Sequence, residues 1–124
     1  MKQVYPNGMI PKGHYCPAMI SGNLMFISGQ LPMDFENGKI VSGGAKEHAL
    51  QCMKNIEMIL KEKDLTFDNL VQCRIYVSDI SNWGVIDEIY SSFLKEHRCA
   101  RVVVPTRDLH YGAFCEIEAI AEIK

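Results

Sequence analysis

Two ionisable side chains stand in stretches that otherwise favour burial: Arg101 in Cys99-Ala100-Arg101-Val102-Val103-Val104, and Glu118 in Cys115-Glu116-Ile117-Glu118-Ala119-Ile120-Ala121. A charge among buried neighbours is costly unless it meets an opposite charge or a polar ligand. A guanidinium grips a carboxylate through two parallel charge-assisted hydrogen bonds, each worth roughly 1.5 to 3 kcal/mol once water is excluded. Two arrangements would satisfy Arg101: an internal salt bridge to Glu118 or Asp108, or a small carboxylic acid held in a site. The residues alone leave both open.

Other reactive side chains offer less. Cys99 adjoins Arg101, and positive charge lowers a thiol pKa, but the sequence places no histidine base beside it, which favours a small buried thiol over a nucleophile. His14 and His110 flank the segments of interest and read as solvated loop residues. The five cysteines are scattered with no C-x-x-C spacing, and the four histidines form no H-x-H or H-E-x-x-H arrangement, so no metal site is expected. Glu116 and Glu122 share the parity of Glu118 and read as solvated residues on an outer strand face.

These side chains must be positioned by strands and helices whose periods are legible. Met19-Ile20-Ser21 and Leu24-Met25-Phe26-Ile27 flank Gly22-Asn23, which predicts a hairpin. The stretch from Met33 to Gly44 reads as an irregular loop. From Ala45 to about Lys63, Ala49, Cys52, Met53, Ile56, Ile59 and Leu60 recur at helical steps. Val71 to Val77 alternates as a strand, with Val71, Cys73, Ile75 and Val77 on one face. A second helix, capped by Ser81 or Asn82, is expected to run to about His97, with Ile86, Ile89, Tyr90 and Phe93 inward. Val102–Val104 and Phe114–Ile123 supply two final strands, which completes an α+β layer sandwich with some parallel pairing.

The chain has 124 residues and a formal net charge of −2, which fits one domain spanning 1–124 and gives no compositional case for disorder or membrane insertion. Lys and Arg are dispersed, and Trp83 and the tyrosines do not interleave with a basic stripe, so nucleic acid is not favoured. No signal-peptide core and no bilayer-length apolar run are present, and a cytoplasmic location is expected.

Four motifs, Gly13-His14-Tyr15, Ile27-Ser28-Gly29-Gln30-Leu31-Pro32, Ala100-Arg101-Val102 and Glu116-Ile117-Glu118-Ala119-Ile120-Ala121, occur in an order and spacing that resembles the RidA (YjgF, endoribonuclease L-PSP) family. The likeness covers essentially the whole chain. It implies a chorismate-mutase-like α+β fold, with two helices on one face of a six-stranded mixed sheet, assembled as a homotrimer with clefts between subunits. It also implies an enamine/imine deaminase that hydrolyses 2-imino acids to 2-oxo acids and ammonia without a cofactor. In that resemblance Arg101 clamps the substrate carboxylate and Glu118 orients or deprotonates the attacking water. Tyr15 lines the pocket from across a subunit boundary, Gly29 offers its backbone N–H, and backbone near Val103 helps hold the water.

Asp87 falls where better-known members carry an asparagine near the pocket, and its added negative charge opposes an anionic ligand unless a cation compensates. Cys99 and His14 replace family prolines, and the turn from Asp108 to Gly112 lacks another, so substrate preference is where departure is expected. Two other functions fit a family of this kind. One is a single-strand endoribonuclease or translation inhibitor, the other a non-catalytic binder of small carboxylates that regulates a metabolic enzyme.

Overall fold

The helical stripe read from the sequence is buried along α1 (Ala45–Lys61), where Ala49, Cys52, Met53, Ile56, Ile59 and Leu60 are at most 1% exposed. The structure, a computed structural model, describes residues 1–124. Glu47 starts α1 by accepting the Gly44 N–H at 2.8 Å, a capping contact that also holds its carboxyl below the usual range. Asp64, at φ 56°, turns the chain away, and the Leu65 N–H closes on the Leu60 carbonyl at 3.0 Å. The helix therefore stops two residues short of the expected end.

Eight strands accompany the helices: β1 (Lys2–Val4), β2 (Ala18–Ser21), β3 (Leu24–Gln30), β4 (Met33–Asp34), β5 (Lys39–Ile40), β6 (Leu70–Val77), β7 (Ala100–Pro105) and β8 (Cys115–Glu122). The sheet has six strands in the order β1-β2-β3-β8-β6-β7, antiparallel throughout except for the β6–β7 pair. The expected hairpin joins β2 and β3, with Ser21 opposite Leu24 and Gly22 at φ 62°. β1 was not legible because only Val4 of its residues is buried, which leaves no alternation to read. β4 and β5 form a separate small ladder inside the stretch expected to be an irregular loop.

α2 (Trp83–Leu94) buries Ile86, Tyr90 and Leu94, and the chain leaves it at Lys95, at φ 55°. The expected continuation to His97 does not occur: the His97 ring instead bonds the Leu70 carbonyl at 2.8 Å, tying the following loop to β6. Neither Ser81 nor Asn82 caps the helix through its side chain. Asp79 does the local work, accepting the Ser81 N–H at 2.9 Å at the start of a short 3-10 turn, Ile80–Asn82, that leads into α2. Strand alternation puts Val71 on the buried face, but it is exposed. A register shift between Leu70 and Gln72 bulges it outward and lets Leu70 take the core position.

Both helices cover one face of the sheet, and that face holds the core. Cys73, Ile75 and Val77 of β6 and Cys115, Ile117, Ala119 and Ala121 of β8 all lie there, each 4% exposed or less. The opposite face carries Phe26, Arg74, Tyr76, Val102, Glu116, Glu118 and Ile120, and no element of the chain covers it. Two buried polar residues of α1 fix the loop beside this layer. Asn55 donates to the carbonyls of Leu31 and Met33 at 3.1 and 2.9 Å. His48 accepts the Phe114 N–H at Nδ1, 3.1 Å, so its Nε2 must carry the proton it gives to the Val41 carbonyl at 3.0 Å.

The described chain contains no helix long and apolar enough to cross a membrane. It gathers no group of three His, Cys, Asp or Glu side chains suited to a metal ion.

Candidate functional site

Glu118 projects from the centre of β8 onto the uncovered face, opposite Arg74 of β6. Its Oε1 accepts the Tyr76 hydroxyl at 2.5 Å and lies 3.7 Å from the Arg74 guanidinium. The hydrogen bond to Glu118, then burial, pushes the Tyr76 phenol above its usual range. Strand alternation had put Arg74 and Tyr76 on one face, yet their role as partners of Glu118 follows only from the β6–β8 register.

Two residues earlier on the same face, Glu116 points into a cleft of about 300 Å³. Tyr15, Gly29, His110 and Tyr111 share its lining. The β3–β8 register shifts between Ile27 and Gln30, which opens the sheet at Ser28-Gly29. Gly29 is needed there for space: a Cβ on it would stand 2.6 Å from Glu116 Oε2. On the far wall Tyr111 sits at φ 62°, ψ 18°, a left-handed backbone uncommon for a bulky residue, with its ring 3.7 Å from that of His110. Burial, then Glu116 and Tyr111, raises the Tyr15 phenol. Of the residues singled out from the sequence, Tyr15, Gly29, Glu116 and His110 meet in this cleft, whereas Glu118 and His14 do not line it.

Arg101 lies elsewhere. It pairs in register with Cys73, a core-facing residue, so its side chain emerges on the helix-covered side of the edge strand β7. There its Nη1 donates to Asp87 Oδ1 at 2.6 Å, and the guanidinium stands 4.9 Å from the Tyr90 ring and 5.7 Å from Trp83. Arg101 thus pairs internally with Asp87 of α2, not with Glu118 or Asp108, and the charge of Asp87 is met by a cation. Val103, two residues on, shares that face and packs against the core. The cleft beside Arg101, about 420 Å³, is basic: Lys95, His97, Arg98 and Arg101 line it against the single carboxylate of Asp87.

Cys99 opens onto the same basic cleft. Its sulfur lies 3.2 Å from the Tyr90 hydroxyl and 4.0 Å from the Cys73 sulfur. Contact with Cys73, then the Tyr90 hydroxyl, brings its thiol down to about 6, while Cys73 is pushed up by Cys99 and by burial. All five cysteines are free thiols.

Within one chain, Arg101 and Glu118 therefore occupy opposite faces of the sheet, with β6 between their strands. No small ligand can touch both within one chain.

The family profile of Endoribonuclease L-PSP matches residues 6–123. The human protein named 2-iminobutanoate/2-iminopropanoate deaminase is 37% identical over 109 residues, covering 88% of this chain and 80% of the human one. The crystal structure of RidA from the Antarctic bacterium Psychrobacter superimposes with a TM-score of 0.92 at 30% identity, covering 98% of this chain and 100% of that one. The structure of Escherichia coli TdcF with bound serine superimposes at 0.90 and 25% identity, covering 99% and 100%. Matched over residues 6–123 by the family profile and over nearly its whole length in superposition, the chain belongs to the endoribonuclease L-PSP family, the RidA (YjgF) family that its four motifs resemble.

Proposed function

We propose that the protein is an enamine/imine deaminase that hydrolyses 2-imino acids such as 2-iminopropanoate and 2-iminobutanoate to 2-oxo acids and ammonia. In this reading it works as a cytoplasmic homotrimer with each site shared by two copies. The observation that carries the reading is the placement of a positioned arginine on an edge strand and a hydrogen-bonded glutamate on an uncovered face. The name of the human relative and the serine bound to the Escherichia coli neighbour support the substrate class, small amino-acid-derived carboxylates.

In the shared site Arg101 of one copy holds the substrate carboxylate. Asp87 engages one of its nitrogens, and Trp83 and Tyr90 limit its swing, so the remaining N–H groups form a pre-oriented fork. Glu118 of the other copy takes a proton from the attacking water, and Gly29 N–H and Tyr15 border the ligand. The Val103 backbone helps hold the water. An iminium carbon is already electrophilic, so positioning plus one general base, typically about 10² to 10⁴ fold, suffices without a cofactor. The test is ammonia and 2-oxo acid release from freshly generated 2-iminopropanoate and 2-iminobutanoate. A rate no greater than spontaneous hydrolysis refutes the reading, and RNA cleavage by the same purified protein would favour the endoribonuclease function instead.

Asp87→Asn should tighten binding of 2-oxobutanoate. It removes a negative charge beside the ligand yet keeps an oxygen for Arg101, and at partly screened separations this is worth about 1 kcal/mol, or roughly fivefold in Kd by calorimetry. Gly29→Ala should leave thermal stability within about 1 kcal/mol of the parent, because the atom it meets is the free end of a side chain. It should nevertheless cut turnover by about tenfold or more, since the Glu116 carboxyl must swing into the cleft.

A further inference from the structure

We propose that Cys99 and Cys73 form a hydroperoxide-reactive dithiol: Cys99 is oxidised by a small hydroperoxide entering the basic cleft, and Cys73 closes on it as a disulfide. These thiols play no part in the proposed hydrolysis. Two pairs of cysteines lie in contact in this protein, and their settings differ. The Cys52 and Cys115 sulfurs are 3.9 Å apart, both residues are 0% exposed, and burial, then contact with Cys115, pushes the Cys52 thiol up. The Cys99 and Cys73 sulfurs are 4.0 Å apart, but Cys99 is only partly buried and lines the cleft of about 420 Å³. Of the two pairs, only this one can meet a solute.

A thiol attacks as its thiolate, which hydrogen-bond donors and positive charge favour. Cys99 has both. The Cys73 thiol and the Tyr90 hydroxyl, 4.0 and 3.2 Å from its sulfur, can donate to a thiolate there, and Lys95, His97, Arg98 and Arg101 line the same cleft. Asp87 is the one carboxylate of that lining, and Arg101 engages it at 2.6 Å. The Cys73 contact, opposed by burial and joined by Tyr90, holds Cys99 at about 6, while Cys73 is pushed up, which divides the pair into an attacking and a resolving thiol. Closing the gap to a disulfide of about 2.05 Å asks the sulfurs to approach by about 2 Å. Cys99 has the freedom to move, because it lies in the loop before the edge strand β7, whereas Cys73 is held within β6 between β7 and β8.

The electrons balance. The Cys99 thiolate bonds to the terminal oxygen of the hydroperoxide, and the O–O bond breaks with its pair on the inner oxygen. That oxygen takes a proton from water and leaves as an alcohol, or as water when the oxidant is hydrogen peroxide. Cys99 is then a sulfenic acid, oxidised by two electrons, and the peroxide is reduced by two. The Cys73 sulfur bonds to the Cys99 sulfur, the S–O bond breaks with its pair on oxygen, and the departing hydroxide takes the Cys73 proton and leaves as water. An external dithiol returns both cysteines to thiols by exchange.

The test exposes the folded protein to a small excess of hydrogen peroxide, alkylates the remaining thiols in denaturant and maps them by mass spectrometry. A Cys73–Cys99 disulfide should form about tenfold or more faster than any product at Cys52 or Cys115, and dithiothreitol should reverse it. Cys73→Ser should stop at the sulfenic acid, trapped by dimedone on Cys99, and Cys99→Ser should leave Cys73 reduced. A Cys52–Cys115 bond formed equally fast, a disulfide joining Cys99 of two copies, or a folded Cys73→Ser protein without dimedone on Cys99 overturns the inference. Should Cys73→Ser fail to fold, the unmodified protein decides: Cys73 and Cys99 both still open to alkylation after the same exposure overturns the proposal. Turnover of 2-iminopropanoate bears on none of these outcomes, so the deaminase reading and this one fail separately.

Discussion

Arg101→Ala should lower kcat/KM for 2-iminopropanoate by about 30- to 5,000-fold, the loss that follows when a carboxylate clamp worth roughly 2 to 5 kcal/mol is removed. Two effects combine in that number. The substrate loses the guanidinium fork, and Asp87 is left facing the substrate carboxylate with its cation gone. The double variant Asp87→Asn/Arg101→Ala separates them, because neutralising Asp87 removes the second effect only. It should recover about tenfold of the lost kcat/KM. Arg101→Lys should recover little, since a point charge reproduces neither the fork nor the stacking beside Trp83 and Tyr90. Wild-type kcat/KM in Arg101→Ala would remove the anchor from the mechanism. If Arg101→Ala lost ligand binding while Glu118→Ala kept full function, the protein would be a carboxylate binder and not a deaminase.

Mixing two inactive variants should restore activity. Arg101→Ala and Glu118→Ala subunits, unfolded together and reassembled, should regain about a quarter of wild-type activity, because a random quarter of the clefts draws Arg101 from one intact copy and Glu118 from another. Either variant reassembled alone should stay near background. The physical basis is the sheet itself: Arg101 leaves β7 on the helix side and Glu118 leaves β8 on the open side, so one chain cannot present both to one small molecule. The uncovered face supplies the surface for such a contact, with Phe26 at 43% exposure beside Ile120 and Val102 at 44% on the edge strand. Failure to regain activity in mixtures confirmed by mass to contain both subunits would place Arg101 and Glu118 in separate functions.

Much of this arrangement was legible in the residues. Helical and strand periods are local properties, and they located α1, α2, the Gly22-Asn23 hairpin, β6, β7 and β8, as well as the shared parity of Glu116 and Glu118. Positions set by local hydrogen bonding were less legible. Asp79 in place of Ser81 or Asn82, the bulge at Val71 and the small β4–β5 ladder each depend on a partner distant enough, or a turn specific enough, to leave no periodic trace. Glu116 looked like a solvated residue because parity says which face a side chain takes and nothing about what closes over it. Tyr15, Gly29 and the His110-Tyr111 turn close over it here.

By itself the sequence determined that Arg101 and Glu118 each need a polar partner, since both interrupt apolar strands, and its motifs identified the family. Only the tertiary structure decided which partners they have. Strand order is a non-local choice: β6 returns to lie between β7 and β8, which are consecutive in the chain, and that insertion sets Arg101 beside Asp87 and Glu118 beside Tyr76 and Arg74. Residues seventeen apart in sequence thus end on opposite faces of one sheet, and in the proposed mechanism they meet only between two copies of the chain.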